Sequence, residues 1–405
     1  PVGVGAVDPD VVGPGRARPD GLPNVGRHSQ SVFNVGLHDA GLFWDLRIES
    51  IGKEAGLNGA GSEIRTPDSA LNAGDADAGP NLVAAQARFP IVIASEMRGG
   101  FEPGLSDDAY RDRIAARIGN YGAGAGELTT NNWLAEFRSA FASAETAENL
   151  ITFDNIVLAI GEYQRSMVFV DNPWNDYVRG NTNAISAEAK EGALLFYGAT
   201  NMQGLACANC HGGDFFTDER STSVGVPQIG IGKGDTATTD GDFGREQQTA
   251  DPQDRFRFRT PTLLNVAATA PYTHAGAYLT LEDVLAHYVV PDTTVTNYFG
   301  AGGPCTLPQF QAHPDCPDDL FENSRAHSLD ALQKTLDDRT VQADLTIPDI
   351  GFSPMSDGPP ILAFMEALTD PCITDRSCVA AWIPDPVNAP DENQLNAVDD
   401  VGNPL

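Results

Sequence analysis

Cys207-Ala208-Asn209-Cys210-His211 is the stretch from which this chain is read. Two thiols three positions apart can add to the two vinyl groups of one porphyrin. The next residue, His211, is then held under the iron as its proximal ligand, so the spacing predicts a covalently attached c-type haem. A disulfide or half of a zinc site would use the same cysteines, but zinc asks for a second Cys/His pair at short spacing and the sequence has none.

Outward from the motif, Ser186 with Glu188 opens a helix through Ala193, Leu194 and Phe196 that ends just before Cys207. Residues 212–256 are Gly-, Thr- and Asp-rich with little periodicity, a long loop that a haem edge could organise. A further helix runs from Thr280 to Val290. On it Leu281, Val284, Leu285 and Tyr288 share an apolar face, whereas His287 falls with Asp283 on the opposite, polar one. Facing the core, Tyr288 can reach an iron. Earlier in the chain the pattern predicts helices at 107–118, at 132–141 and from Thr152, the last with Ile156, Ala159, Ile160 and Tyr163 on its apolar face. Residues 1–30 and 52–80 read as turns and surface loop, and Asp171-Asn172-Pro173-Trp174 followed by Gly180 marks a boundary. The expectation is a mainly α chain with two domains, 1–171 and 172–385, and a polar tail at 386–405.

The chain has 405 residues, 41% of them hydrophobic, without an apolar run that approaches the roughly 18 residues of a membrane span. Lys and Arg number 25 against 56 Asp and Glu, a net charge of −31, which argues against nucleic acid and anionic membrane as partners. A basic electron donor would be steered to such a surface, and solubility alone would also account for it. There is no initiating Met and no signal pattern, so Pro1 reads as a processed, truncated or incompletely recorded start. Haem attachment takes place outside the cytoplasm, which predicts a periplasmic or extracellular protein. Cys305 with Cys316 and Cys372 with Cys378 agree, reading as two local disulfides of about 2–3 kcal/mol each. Four free buried thiols are the alternative.

The order of motifs resembles the bacterial di-haem cytochrome c peroxidase family with its MauG-type branch. The blocks that carry the resemblance are Arg27 to Asn34, Phe43-Trp44-Asp45-x-Arg47, Glu96-Met97, Cys207-x-x-Cys210-His211-Gly212, Asp242-x-Gly244-Arg245, Phe258 to Val266, Thr269 to His274, and Leu281 to Val284. The resemblance implies two cytochrome c-like helical domains with long loops, each holding a haem, with calcium between them, and peroxidase-type oxidoreductase activity with hydrogen peroxide. In one respect the sequence departs from the family: the first C-x-x-C-H of the family lies upstream of the block at Arg27, and this chain starts before reaching it. The second haem is therefore expected upstream, on the reading that the recorded chain is a fragment. A mono-haem electron-transfer cytochrome without peroxidase activity is the alternative.

By resemblance, Trp44 passes electrons between the haems, and Glu96 is the distal acid–base group that carries a peroxide proton from one oxygen to the other. A plain core tryptophan and a helix-end carboxylate are the bland alternatives. Calcium would be held by the side chain of Asn34 and the carbonyls of Thr269 and Pro271, an all-oxygen set. Tyr288 stands where the peroxidase branch has Met and the MauG-type branch has an iron-ligating Tyr. A phenolate favours ferric iron and a thioether favours ferrous, so this residue selects between the branches. None of the five Met falls on the helix that carries Tyr288. A buried, hydrogen-bonded core tyrosine remains the alternative. His274 sits where the family follows His with Asp-Gly, but Ala275 replaces the Asp. The reducing partner is a redox-protein donor in one branch and a protein substrate in the other.

Overall fold

The computed structural model describes residues 25–198, 204–230, 232–233, 241–300, 303–307, 321–339, 353, 356–383 and 389–392. The turns expected before residue 25, and Cys316, lie outside the described residues.

The first half opens with a small antiparallel sheet of β1 (Gly41–Leu42), β2 (Ile48–Ile51) and β3 (Glu63–Arg65), with Gly41 opposite Glu49 and Ser50 opposite Ile64. β3 falls inside the stretch 52–80 that reads as loop from sequence. Its three residues are too few to show alternation, and Ile64 and Arg65 are buried against the neighbouring strand. Helices follow: α1 (Leu82–Ala87), α2 (Asp107–Gly119), α3 (Trp133–Ala140), α4 (Ala147–Leu150) and α5 (Phe153–Arg165). Side-chain oxygens cap several N-termini: Ser106 accepts from Ala109 N before α2, and Thr152 from Asn155 N before α5.

The buried face of α5 differs from the one predicted. Phe153, Ile156, Val157 and Gly161 are buried, with Ile160 packed beside them, while Ala159 is exposed and Tyr163 is 46% exposed. Both faces satisfy a 3.6-residue period. Gly161 decides between them, because a Cβ there would lie 3.0 Å from Ala84 N, and only a bare backbone lets α5 approach α1 so closely.

The second half contains α6 (Pro173–Val178), α7 (Ala187–Tyr197), α8 (Glu246–Thr249), α9 (Leu281–Val289), α10 (Pro291–Gly300), α11 (Gly303–Thr306), α12 (Glu322–Asp338) and α13 (Gly358–Ala367). A two-stranded ribbon of β4 (Ser221–Thr222) and β5 (Phe258–Arg259) pairs Thr222 with Phe258. α7 begins at the Ser186 cap as predicted. It crosses α13 with backbones nearly touching, since a Cβ at Gly192 would fall 1.9 Å from Pro360 O. Around this crossing Phe196, Phe216, Leu264, Ile361, Phe364 and Leu368 form a buried cluster. Each such side chain contributes about 1.5–3 kcal/mol by leaving water.

Two apolar clusters, one over α2, α3 and α5 and one under the sheet, draw their buried residues from 35–157, and the other three draw theirs from 185–368. Cys372 and Cys378 are disulfide-bonded as expected, and Cys305 is disulfide-bonded as well. In the stretch 386–405 that reads as tail, Pro390 O accepts from Asn132 N, and Asp391 takes the indole N–H of Trp133, so these residues lie against the first half. No helix among the described residues is long and apolar enough to cross a membrane.

Candidate haem site and the junction around it

The motif sits on a short turn after α7. Cys207–Asn209 form one turn of 3-10 helix, and His211 N bonds back to Cys207 O. Cys207 and Cys210 both remain thiols, and burial pushes Cys207 up to about 12. His211 Nδ1 lies 3.3 Å from Phe216 O. A carbonyl only accepts, so Nδ1 carries the proton and Nε2 keeps its lone pair, the tautomer an iron ligand needs. Burial pulls His211 below the usual histidine range, against the Phe216 carbonyl.

These three residues open onto a largely apolar cavity of about 470 Å³, within the range of cofactor pockets. Its wall also carries Trp44, Arg220, Arg259, Tyr272, His274, Tyr278, Tyr288 and Met365. Two thiols at haem spacing, a histidine of the right tautomer and an apolar slot together fit a covalently held haem. Tyr288 faces this cavity as its helix position predicts. Its hydroxyl makes no hydrogen bond among the described residues, and burial, then the Cys210 and Cys207 thiols, push the phenol above its ordinary range.

His287 corrects the sequence reading. It is fully buried, with Nε2 2.7 Å from Val224 O and Nδ1 3.0 Å from the Tyr278 hydroxyl. The helical wheel places it opposite Tyr288, but it borders the same cavity, and α9 is covered there by the loop at Val224 and by α10 through Thr294. Burial pulls its pKa down to about 4, against the Val224 carbonyl, so the ring is neutral.

Trp44 comes from the first half yet lines the same cavity. Its indole N–H donates to His28 O at 2.8 Å, and its carbonyl accepts from Arg259 N at 2.7 Å. Glu96 is not on this wall. It lies in a π-helical turn, Ala94–Arg98, half-buried and 3.3 Å from Lys233 Nζ. Burial, then Arg47, pull that lysine down to about 8, with Glu96 opposing.

Beside the cavity the halves are joined by buried ions. Arg27 donates from Nε and Nη2 to both oxygens of Asp242, at 2.7 and 2.6 Å, and its Nη1 lies 2.7 Å from Asp45, which also takes Arg47. Burial works against every one of these charges, but the carboxylates hold Arg27 above its usual range, and Arg27 holds Asp45 and Asp242 below theirs. His274 stacks on Phe258 at 3.6 Å beside this cluster and is pulled down to about 4 by burial.

Asn34 is 1% exposed, and its carboxamide clips Phe169 at both ends: Nδ2 donates to Phe169 O at 2.9 Å, and Oδ1 accepts from Phe169 N at 2.7 Å. Asn265 Nδ2 reaches the same carbonyl at 3.0 Å. The carbonyls of Thr269 and Pro271 accept no hydrogen bond among the described residues. Two of the three expected calcium donors are thus open, and the third retains one lone pair.

A family model described as di-haem cytochrome c peroxidase matches residues 7–183. The methylamine utilization protein MauG of Methylorubrum extorquens is 31% identical over 208 residues, 51% of this chain and 48% of that protein. Over these residues the chain is similar to the di-haem cytochrome c peroxidase and MauG family. From the peroxidase side of this family, the cytochrome c551 peroxidase of Pseudomonas aeruginosa is 33% identical over 151 residues, 37% of this chain and 40% of that one. The matched stretch spans about half of MauG and less of the peroxidase. The crystal structure of a MauG-like protein associated with microbial copper homeostasis shares the fold, with a TM-score of 0.50 at 21% identity, covering 87% of this chain and 78% of that one.

Sequence reasoning missed Tyr278, Met365 and the cavity role of Arg259. Tyr278 lies outside every periodic helix, Met365 arrives from α13, about 150 residues after the motif, and Arg259 is one residue of a two-residue strand.

Proposed function

We propose that this chain is an exported c-type haem oxidoreductase that works with hydrogen peroxide, in which Cys207 and Cys210 would hold the haem and His211 and Tyr288 would serve as its iron ligands. The observation that carries the reading is one cavity lined by Cys207, Cys210, His211, Tyr288 and Trp44. The haem would supply electron storage and peroxide reduction. His211 presents its Nε2 lone pair, oriented through Nδ1. Tyr288 offers a hydroxyl with no protein partner among the described residues, and a phenolate there would favour ferric iron. Trp44, on the wall and joined by its backbone to Arg259, lies on the side from which the first half can exchange electrons. Glu96, with Lys233 beside it, would move the peroxide proton at a separate place in the first half. The acidic surface suits a basic redox partner or protein substrate in the periplasm. Calcium at Asn34, Thr269 and Pro271 would tie the halves, which we take as the two domains 1–171 and 172–385.

A second reading rests on Met365, which lines the cavity and offers a thioether from α13, distant from α9 in sequence but packed against it. A mono-haem electron carrier would use it instead of Tyr288. The deciding experiment compares Tyr288→Phe with Met365→Leu by absorption spectrum and redox titration, alongside a pyridine haemochrome count. Tyr288→Phe should open a coordination position and raise the potential, and Tyr288→Met should move the haem toward ordinary peroxidase behaviour. A Tyr288→Phe protein with wild-type spectrum and potential, together with an altered Met365→Leu protein, would establish the carrier reading.

A further inference from the structure

We propose that Tyr278 and His287 form a redox-active pair on the cavity wall: Tyr278 gives one electron to the oxidised haem, and its phenolic proton passes to Nδ1 of His287. The products are a neutral phenoxyl radical and an imidazolium, and one electron from a donor returns both to the starting state. The oxidant is the haem of this cavity after reaction with hydrogen peroxide, so the inference rests on the function proposed above.

A phenol loses an electron easily only when its proton can leave at the same time, so the aromatic rings around the cavity are sorted by what their polar hydrogens meet. Tyr272 donates to Val266 O at 3.2 Å, and Trp44 to His28 O; neither carbonyl is a base that accepts a proton. Tyr288 has no partner among the described residues. Tyr298 meets Tyr278 edge-on at 5.8 Å, but its buried hydroxyl also finds no acceptor there. Tyr278 alone among these rings has a base, with its hydroxyl 3.0 Å from His287 Nδ1.

The direction of that bond follows from the other side of the imidazole. Nε2 lies 2.7 Å from Val224 O, which can only accept, so in the neutral ring Nε2 holds the proton and Nδ1 is bare. Thr294 Oγ1 is 3.1 Å from Nδ1, but that hydroxyl has the Val290 and Pro291 carbonyls for its own proton. Tyr278 is therefore the donor. It is 5% exposed and His287 is fully enclosed, so water cannot carry the transferred proton away and the step reverses when an electron returns. The hole is held on Tyr278 and not passed to Tyr298, whose proton has nowhere to go.

The test supplies the hole without peroxide. The haem-loaded full-length protein is flash-oxidised with tris-bipyridyl ruthenium and a hexaammine ruthenium(III) quencher, and followed by electron paramagnetic resonance and transient absorption. A tyrosyl radical is expected. Tyr278→Phe should remove it while the haem absorption spectrum stays unchanged, and Tyr298→Phe and Tyr272→Phe should leave it in place. His287→Gln should slow its formation about a hundred-fold, the lower end of what a positioned proton acceptor contributes. An undiminished radical in Tyr278→Phe, or none in wild type, overturns the pair. A radical made by the flash but not by hydrogen peroxide upholds the pair and removes the peroxide reading instead.

Discussion

Two buried arginines meet the Trp44–Asp45 segment, Arg259 through its backbone and Arg27 through its side chain, and they are treated in opposite ways. Arg27 meets Asp242 and Asp45 directly, each within 2.7 Å. Arg259 is just as buried, yet no carboxylate among the described residues lies within 4.0 Å of it. Its contacts are long ones, to Phe43 O at 3.3 Å, Gln30 Oε1 at 3.4 Å and the His38 ring at 3.3 Å. Burial accordingly pulls Arg259 down to about 10, against the more distant Glu219, while Arg27 is held above its usual range. A protein can bury a guanidinium cheaply only with a counter-charge. Arg27 has its own and serves the junction; Arg259, on the wall of an apolar cavity, is left to act on whatever occupies that cavity.

The largest expected effect is on the paired side. Arg27→Met strands Asp242 in the core, leaves Asp45 to Arg47, and should cost about 3–5 kcal/mol in urea unfolding. The same pair sets an acid limit. Both carboxyls have folded pKa values below their unfolded ones, so their stabilisation is complete above the unfolded value of about 4 and disappears as pH falls through the lower, folded values. Thermal melts of wild type should therefore fall away below about pH 4, and those of Arg27→Met should fall less steeply. Asn34→Ala, which leaves the Phe169 N–H unpaired in the same junction while Asn265 keeps its carbonyl, should cost about 1–3 kcal/mol in the same assay.

Arg259→Gln tests the other side. Removing a cation from the haem wall should favour the oxidised haem and lower its potential by roughly 1–2 kcal/mol of electron affinity, with little change in the stability of the haem-free protein. If that variant destabilises the haem-free protein as much as Arg27→Met does, the contrast between the two arginines is lost. The smallest effect is calcium's. Adding the ion at about five times its dissociation constant should stabilise the junction by about 1 kcal/mol, and chelation should reverse this. An Asn34→Ala protein that still responds to calcium would place the ion elsewhere.

Much of this site was legible because short-range rules govern it. The attachment motif depends on a spacing of three, the caps at Ser186 and Thr280 on one side-chain oxygen each, and the direction of Tyr288 on its position along α9. What was not legible depends on what packs against an element. The wheel puts His287 with Asp283 on a polar face, but it has no knowledge of Val224, which turns that face into an interior one, and His287 borders the same cavity as Tyr288. The face of α5 was ambiguous for the same reason until Gly161 met Ala84. Met365, Arg259 and Tyr278 reach the cavity through contacts between distant segments, and local pattern carries no record of those.

The last described segments return to the first half. Trp382 donates to Ser166 Oγ at 2.8 Å, accepts from the Tyr163 hydroxyl at 2.7 Å and packs edge-on to Phe169, while Pro390 and Asp391 cover the start of α3. The 46% exposure of Tyr163 already includes that cover. In time, this means that the first half is finished by chain made some 210 residues later, about 10–40 s after Asp171 at ordinary ribosomal speed. Until then it waits with an uncovered aromatic edge, and a chaperone that shields that edge during synthesis would act on an assembly order written into the path of the chain.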